Sequence, residues 1–293
     1  GLIGTEGPID VELIDRVEVI RGPSSSLYGT GAFFGVVSII TKQGKDLAGT
    51  TVSATGASYS TRNARVAYGT TLKNGADLVL GASALQSDGQ ELFYKEFDDP
   101  ATNSGVTRND DDEYLRLFAK LSFGHFRVEA AHSSREKGIP TASFGQVFND
   151  SRSRTTDERS SLELKYERPF ERLGNVSGRV FLDRYYYFGD YPYDAPPVTL
   201  YKDFTWGNWW GTEAQVTMPP RRGNKVTLGF EFRDIYRQDL RAYDVSPYFE
   251  YYDRRKDSSD WGVYFEDEIA VHKLLTLNLG LRHDSYSTFG GTY

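Results

Sequence analysis

The sequence contains no cysteine and a single methionine, so disulfide bonds and thiolate metal sites cannot contribute to its fold. It also has no apolar run near the ~18 residues that a membrane-spanning helix needs. Its longest apolar segment, LVLGASAL at 78–85, has the length of a strand. These absences leave open a transmembrane barrel, whose lipid-facing and lumen-facing residues alternate and therefore look hydrophilic on average.

Recognisable catalytic and metal-binding patterns are also scarce. The four histidines are isolated from one another, so we predict no metal site from them. Ser24–Ser26 do not form the G-x-S-x-G elbow of a hydrolase, and a cap-and-turn role is favoured for them. For the acidic run Asp110–Asp112, a solvated loop is favoured over a calcium site, because the spacing does not follow a known calcium loop. The sequence therefore predicts no enzyme, no cofactor and no metal site.

Aromatic residues and glycine are abundant: 20 Tyr, 18 Phe and 4 Trp occur together with 29 Gly, a mixture that favours β structure. In EYLRLFAKLSF (113–123), Leu115, Leu117 and Leu121 fall on one face of an extended chain. Arg116 and Lys120 fall on the other face, which is a period of two residues. KVTLGFEFRD and LTLNLGLRHD have the same period. These segments are predicted to be strands with one apolar and one polar face.

The alternation predicts a series of strands whose connections differ in length. The predicted strands are residues 50–59, 63–73, 76–87, 113–123, 126–134, 158–168, 176–188, 205–218, 226–238, 260–272 and 275–286. Tight links such as Asn74-Gly75, a favoured hairpin turn, alternate with polar stretches at 88–112, 135–157, 189–204 and 239–259. Short turns at one end and long loops at the other are typical of an outer-membrane barrel.

Two features of these strands need a further explanation. Aromatic runs at 185–194 and 248–253 lie where strands meet loops, and we favour an aromatic girdle at the membrane interface over ligand contact for them. Asp267 falls on the apolar face of its strand. Either a bulge or a position near the interface, where a carboxylate costs little, would explain it.

A compact motif precedes the predicted sheet: DRVEVIRGPSSSLYGTGAFFGVVSIITKQG, at 15–44. It predicts a strand, a break at Gly22-Pro23, a capped helical turn and a returning strand. The motif resembles the C-terminal part of the plug domain of TonB-dependent outer-membrane receptors. Residues that carry the resemblance include Arg21, Gly22, Pro23, Leu27, Tyr28, Gly29 and Gly35. Residues 263–287 likewise resemble a mid-barrel hairpin of that family.

The resemblance implies a mostly β fold with a small α/β plug remnant. The expected architecture is a fragment of a plugged transmembrane antiparallel β-barrel, with about 11 of roughly 22 strands. Residues 1–46 would form the C-terminal part of the plug, and residues 47–293 the N-terminal half of the barrel. Because single-chain bacterial barrels close with even strand numbers, we expect further strands beyond this sequence.

The resemblance also implies a function. A member of this family would import a scarce, large ligand of the ferric siderophore, haem or cobalamin class across the bacterial outer membrane. The expected partners are a TonB-type energy-coupling protein, outer-membrane lipid and a small-molecule or metal-chelate ligand, and no nucleic acid is expected. A passive porin or adhesin-type barrel is the alternative, and the plug motif argues against it.

Arg21 carries one further expectation from the resemblance, because plug arginines of this family pair with inward-facing barrel glutamates. The alternation turns Glu213, Glu231 and Glu266 toward the polar face, which would line the lumen. A partly desolvated carboxylate is tolerated chiefly when it is paired, and arginine offers two parallel donors. We therefore predict that Arg21 pairs with at least one of these glutamates. For each glutamate, an equally favoured alternative is that its carboxylate only lines a hydrated lumen and does not bind Arg21.

Overall fold

Strands dominate the computed structural model, which describes residues 7–21, 34–194, 197–221 and 223–292. The strands are β1 Ile14–Arg21, β2 Gly35–Thr41, β3 Gly49–Gly56, β4 Arg62–Thr71, β5 Asp77–Ser87, β6 Leu92–Phe93, β7 Val106–Thr107, β8 Asp112–Phe123, β9 Phe126–Gly138, β10 Arg154–Phe170, β11 Gly174–Tyr193, β12 Thr199–Thr217, β13 Asn224–Val245, β14 Tyr248–His272, β15 Leu275–Tyr286 and β16 Gly290–Thr292. The helical segments are the short α-helix α1, Gly44–Leu47, and the 3-10 turns Val11–Leu13, Lys95–Phe97 and Pro100–Gly105. Within the described ranges, no helix is long and apolar enough to cross a membrane.

Twelve strands form one antiparallel sheet, in the order β16-β15-β14-β13-β12-β11-β10-β9-β8-β5-β4-β3. Its strands therefore pair in chain order, as in a meander, and β3 and β16 are the two edges of the order. The ribbon β6-β7 lies in the connection between β5 and β8, and β1-β2 form a separate hairpin. All eleven strands predicted from the alternation are present, and the short β16 is an additional one.

The strands from β10 to β14 are much longer than the sequence pattern predicts, with 17 to 25 residues each. The predicted loops at 189–204 and 239–259 are consequently wrong: the connections that remain there are 194–198 and 246–247. The predicted loop 135–157 is shortened to 139–153 by both flanking strands. About 9–11 residues suffice for a tilted strand to cross a bilayer, so the polar remainder continues the sheet beyond its apolar band. The change to polar sequence therefore shows where the apolar band ends, but the strands continue beyond it.

The two faces of the sheet differ as the alternation predicts. On β8, Arg116 and Phe118 are 7% and 5% exposed, whereas Leu115 and Leu117 are both 44% exposed. We call the covered side the plug-facing face, because β1, β2 and α1 lie against it, and the other side the outer face. An apolar outer face and a mixed inner face are what a barrel wall requires in lipid.

Asp267 lies on the outer face without a bulge, because β14 pairs regularly with β13 and β15 at this position. The nearest irregularity lies between Ala270 and His272. The amide Nδ2 of Asn224 donates to Oδ2 of Asp267 at 2.7 Å. Asn224 is the first residue of β13, so the carboxylate lies near the short-turn end of the sheet. Of the two explanations given above, the structure excludes the bulge.

Candidate functional site: the contact between the plug segment and the sheet

Leu13 anchors the start of the plug segment, which comprises the described residues 7–21 and 34–47. Its side chain is only 2% exposed and packs against Val79 and Phe118 on the plug-facing face. Gly81 makes room for it, since a Cβ built at this glycine would lie 2.5 Å from Cδ1 of Leu13. This apolar contact therefore depends on glycine at position 81 of β5, because any side chain there would occupy the space of Leu13.

Lys120 of β8 binds the end of the plug segment. Its ammonium donates to the hydroxyl of Thr41 at 2.7 Å, to the carbonyl of Lys42 at 2.5 Å and to the carbonyl of Thr41 at 3.2 Å. The side chain is buried, and three acceptors satisfy its three donors. A buried lysine is tolerated because these acceptors replace the water that it loses.

The short helix α1 is fixed by a carboxylate from the sheet. Asp77 accepts the backbone N–H groups of Gly44 at 2.7 Å and Lys45 at 3.2 Å. It thereby supplies the partners that the first N–H groups of a helix lack. A Cβ on Gly44 would come within 2.4 Å of the carbonyl oxygen of Leu78, so only glycine permits this approach. Both ends of the plug segment are thus bound to β4, β5 and β8.

An array of alternating charges crosses the plug-facing face from β9 to β15. This charge ladder consists of Arg127, Glu163, Arg179, Glu213, Glu231, Arg282 and Asp284. Arg179 bridges two strands, with Glu163 at 2.8 Å and with Glu213 through its Nε at 2.7 Å. Because Arg179 and Arg282 each bind two carboxylates, the ladder stabilises charges that would be costly to bury singly.

The ladder has one break, between Glu213 and Glu231. These two glutamates are direct partners in the register of β12 and β13. Like charges directly opposite each other are destabilising. Arg179 binds the first glutamate and Arg282 binds the second at 2.7 Å, but among the described residues no cation lies between the two. The break is a place where one further cation would be stabilised.

The hairpin β1-β2 faces this part of the ladder across a cavity of about 660 Å³. Glu18, Ile20 and Val36 line the hairpin side, while Glu213 and Glu231 line the sheet side. Arg21 ends β1 with an exposed side chain. It forms no ion pair with any carboxylate of the described residues. Its predicted pairing with a sheet glutamate therefore stays a prediction.

The remaining residues predicted for the plug motif fall into two groups. Gly22, Pro23, Leu27, Tyr28 and Gly29 lie outside the described residues. Gly35 is described and pairs with Arg21 in the hairpin. It has a φ of 152°, and a Cβ there would lie 2.5 Å from the carbonyl oxygen of Ile20. Glycine is therefore required at this position by the backbone. Glu266, the last predicted glutamate, lies opposite Thr227 and Gly280.

The acidic run Asp110–Asp112 is paired with basic side chains. Asp110 binds Lys137 at 2.6 Å and Asp112 binds Arg135 at 2.8 Å, while Asp111 lies 3.4 Å from Arg154. These partners join the loop 88–111 to β9 and β10. In the part of the chain that the structure describes, no group of three or more acidic or histidine side chains is arranged to hold a metal ion.

The aromatic runs divide between the two faces, because neighbouring residues of a strand point in opposite directions. Tyr186 and Trp206 are in contact on the outer face, with ring centroids 5.3 Å apart. Tyr193 and Tyr201 are in contact on the plug-facing face, with centroids 5.8 Å apart. Only the rings on the outer face lie where the aromatic girdle predicted for these runs would contact lipid; the rings on the plug-facing face do not.

Sequence reasoning missed several residues of this contact, including Lys120 as a ligand of the plug segment, Asp77 and the arginines of the ladder. Lys120 and Arg179 could be placed on the polar face from the alternation alone. Their partners could not, since each depends on the register between strands that are separated by turns of different length.

Comparison with known proteins extends these observations. The family described as TonB dependent receptor-like, beta-barrel matches residues 43–293. The family described as TonB-dependent Receptor Plug Domain matches residues 4–36. The chain belongs to the TonB-dependent receptor family. Proteins of this family are transporters and receptors of the outer membrane that bind small ligands such as siderophores.

Individual members show local sequence similarity. The chain is 33% identical to the vitamin B12 transporter BtuB of Vibrio vulnificus over 84 residues, which are 29% of the chain and 14% of the transporter. It is 61% identical to the ferrienterobactin receptor of Escherichia coli over 33 residues, which are 11% of the chain and 4% of the receptor. The matches therefore cover only small parts of these relatives.

Solved structures share the fold over nearly the whole chain. The ferric enterobactin receptor PfeA of Pseudomonas aeruginosa superposes with a TM-score of 0.66 at 16% identity, covering 97% of the chain and 46% of that receptor. The ferric-catecholate import receptor Fiu of Escherichia coli gives 0.68 at 15% identity, covering 93% of the chain and 50% of that receptor. The chain thus spans about half the length of these receptors. At such identities the similarity concerns the fold alone.

Proposed function

We propose that the chain is part of a receptor that imports a scarce, large ligand of the ferric siderophore, haem or cobalamin class across the bacterial outer membrane. A TonB-type protein would supply the energy. The observation that carries the proposal is the attachment of a plug segment to one face of the sheet. Leu13, Lys120 and Asp77 make this attachment. A passive pore has no use for a segment that fills its lumen.

The relatives support the choice of ligand class. One is named as a vitamin B12 transporter and another as a ferrienterobactin receptor. Both ligands are metal complexes that are scarce outside the cell and too large for ordinary pores. The proposed domain organisation, with a plug portion to residue 46 and a barrel portion from residue 47, fits this reading. The helix α1, Gly44–Leu47, at the end of the plug segment, would then contain the boundary between the two.

Arg21 has a specific role in the proposal. The break in the charge ladder leaves Glu213 and Glu231 opposite each other on the sheet. The end of the hairpin, near Ile20, lines the same cavity. A guanidinium that entered this break would bind both carboxylates and hold the plug, while remaining a contact that applied force can break. We place Arg21 in this role.

Uptake by bacteria tests the proposed function. The full-length protein that contains this chain is expressed in a strain that lacks its own receptors, and accumulation of cyanocobalamin and of ferric siderophores is measured. Uptake of one of these ligands that stops when TonB is deleted, or when a protonophore dissipates the proton gradient, is the expected result. Uptake that continues unchanged in both cases would contradict the proposal and favour a passive pore.

A further inference from the structure

Lys120 is the cation through which β8 holds the plug segment. Its side chain is 5% exposed, and within the described ranges its ammonium donates to neutral groups only, namely the hydroxyl of Thr41 and the carbonyls of Thr41 and Lys42. The backbone N–H of Lys42 donates in turn to the carbonyl of Leu13 at 2.8 Å. The two ends of the plug segment are therefore tied together, and a displacement of Leu13 would also pull away the acceptors of Lys120.

Glu129 of β9 lies beside Lys120 on the plug-facing face. The two residues are direct partners in the register of β8 and β9. Directly opposite residues of an antiparallel pair have Cβ atoms about 4.5–5.5 Å apart. Because lysine carries its ammonium on a flexible four-carbon stem, a change of rotamer suffices to bring the ammonium of Lys120 to the carboxylate of Glu129. No movement of the sheet backbone is needed.

The carboxylate of Glu129 is half-buried and has no cation bound to it. Among the described residues, its side chain forms neither an ion pair nor a hydrogen bond. Its direct partner on the other side is Glu163 of β10, and like charges opposite each other are destabilising. Arg127, two residues along β9 on the same face, is bound to Glu163 at 3.2 Å. One further cation at Glu129 would therefore be stabilised.

The next cations along the same face are already bound to other carboxylates. These pairs are Lys165 with Glu167 at 3.0 Å, and Arg179 with Glu163 at 2.8 Å and with Glu213. Lys120, by contrast, forms no ion pair in the part of the chain that the structure describes, and its strand is the direct neighbour of β9. It is the cation that a change of rotamer can deliver to Glu129.

We propose that Glu129 is a second partner of Lys120, to which the ammonium moves when the plug segment leaves the sheet. In the docked state, Thr41 and Lys42 hold the ammonium; in the released state, it binds Glu129 and extends the charge ladder to β8. An ion pair then replaces the lost hydrogen bonds, so that release costs less free energy. Lys120 also stays close to the position in which it rebinds the plug segment. The inference goes beyond the proposed function, because it concerns plug release whatever ligand is transported.

Urea titration of the purified full-length protein in bilayers tests this exchange. In a background without other cysteines, a nitroxide attached at Lys45→Cys, an exposed position of α1, reports release of the plug segment as a gain in mobility. Glu129→Gln should lower the equilibrium constant for release about fivefold, the effect expected for one partly exposed ion pair. In a Lys120→Met background, where the pair cannot form, the same substitution should change this constant less than about twofold.

A matched control and a direct readout accompany the titration. Glu167→Gln makes the same substitution on the plug-facing face, but this glutamate binds Lys165, so the equilibrium constant for release should not change. A zero-length carbodiimide cross-linker joins an amine to a carboxylate only where the two are in contact. An amide between Lys120 and Glu129, detected by mass spectrometry, should form in the released state and not in the docked state.

Easier release in Glu129→Gln would overturn the inference, because Glu129 would then stabilise Lys120 in the docked state. Equal changes in the two backgrounds, no change in either, or no cross-link in the released state would overturn it as well, since water alone would then solvate the displaced ammonium. These measurements need neither TonB nor a transported ligand. The inference can therefore fail while TonB-dependent uptake is observed, and it can hold in a protein that shows no such uptake.

Discussion

The contact between Leu13 and Gly81 predicts a strong coupling between two substitutions. Leu13→Ala removes a side chain that is 2% exposed and leaves a cavity, for which we expect a cost of about 2–5 kcal/mol in plug attachment. Gly81→Ala places a Cβ 2.5 Å from Cδ1 of Leu13 and should cost about 1–3 kcal/mol through overpacking. In the double variant the new methyl group occupies part of the cavity. Its cost should therefore fall short of the sum by about 1–2 kcal/mol.

A fluorescent label can report the attachment directly in a full-length background from which any cysteine outside this chain has been removed; the chain itself has none. A single cysteine at Ser38, which lines the cavity beneath the hairpin, would carry an environment-sensitive dye. Urea titration of the full-length protein in bilayers then gives the free energy of plug release for each variant. Val17→Ala is the control, since Val17 is 52% exposed on β1 and should change little. Strictly additive costs for Leu13 and Gly81 would refute the packing described here.

Three further predictions address the outer face, the plug arginine and a loop. Leu164→Arg places a cation on the lipid-facing side and should cost about 2–4 kcal/mol in bilayers, whereas Lys165→Arg on the other face should be nearly neutral; equal costs would contradict the assignment of faces. Arg21→Glu should weaken plug attachment more than Arg16→Glu in the same titration, and equal effects would remove Arg21 from its proposed role. Hydrogen bonds from Arg152 hold the pKa of Asp150 below its usual value, although burial opposes them, so the loop 139–153 should lose this stabilisation as pH falls below about 4. Limited proteolysis at falling pH would show increased cleavage in this loop, and Asp150→Asn should abolish that pH dependence.

The direction of the last effect follows from linkage. The native pKa of Asp150 lies below that of the unfolded chain. The stabilisation is therefore complete above the unfolded value and is lost as pH falls through the native value. Cleavage that increases with rising pH would contradict the assignment.

Much of the fold could be predicted because a period of two residues is a local property. Leu115, Leu117, Arg116 and Lys120 fall on their observed faces without any knowledge of neighbouring strands. The lengths of β10 to β14 could not be predicted in this way. Beyond the apolar band both faces carry polar and aromatic residues, so the alternation that marks a strand disappears while backbone pairing continues.

The candidate site was less predictable than the fold. The sequence indicated that Glu213 and Glu231 face the lumen, but not that β12 and β13 place them opposite each other. Nor could it show that Arg179 and Arg282 bind them, since such pairs depend on register. Lys120 is a similar case: its burial arises only when the carbonyls of Thr41 and Lys42 are brought to β8. Local pattern determines the face of a residue, and tertiary structure determines its partner.

The central claim, that a plug segment closes this barrel, is tested most directly by single-channel conductance. If the proposed function is correct, the full-length protein in planar bilayers should show no stepwise conductance, because the segment attached by Leu13, Lys120 and Asp77 would fill the lumen. Deletion of the plug through Thr41 should open a large, voltage-independent pore. An intact protein that conducts as well as the deletion variant would contradict the account.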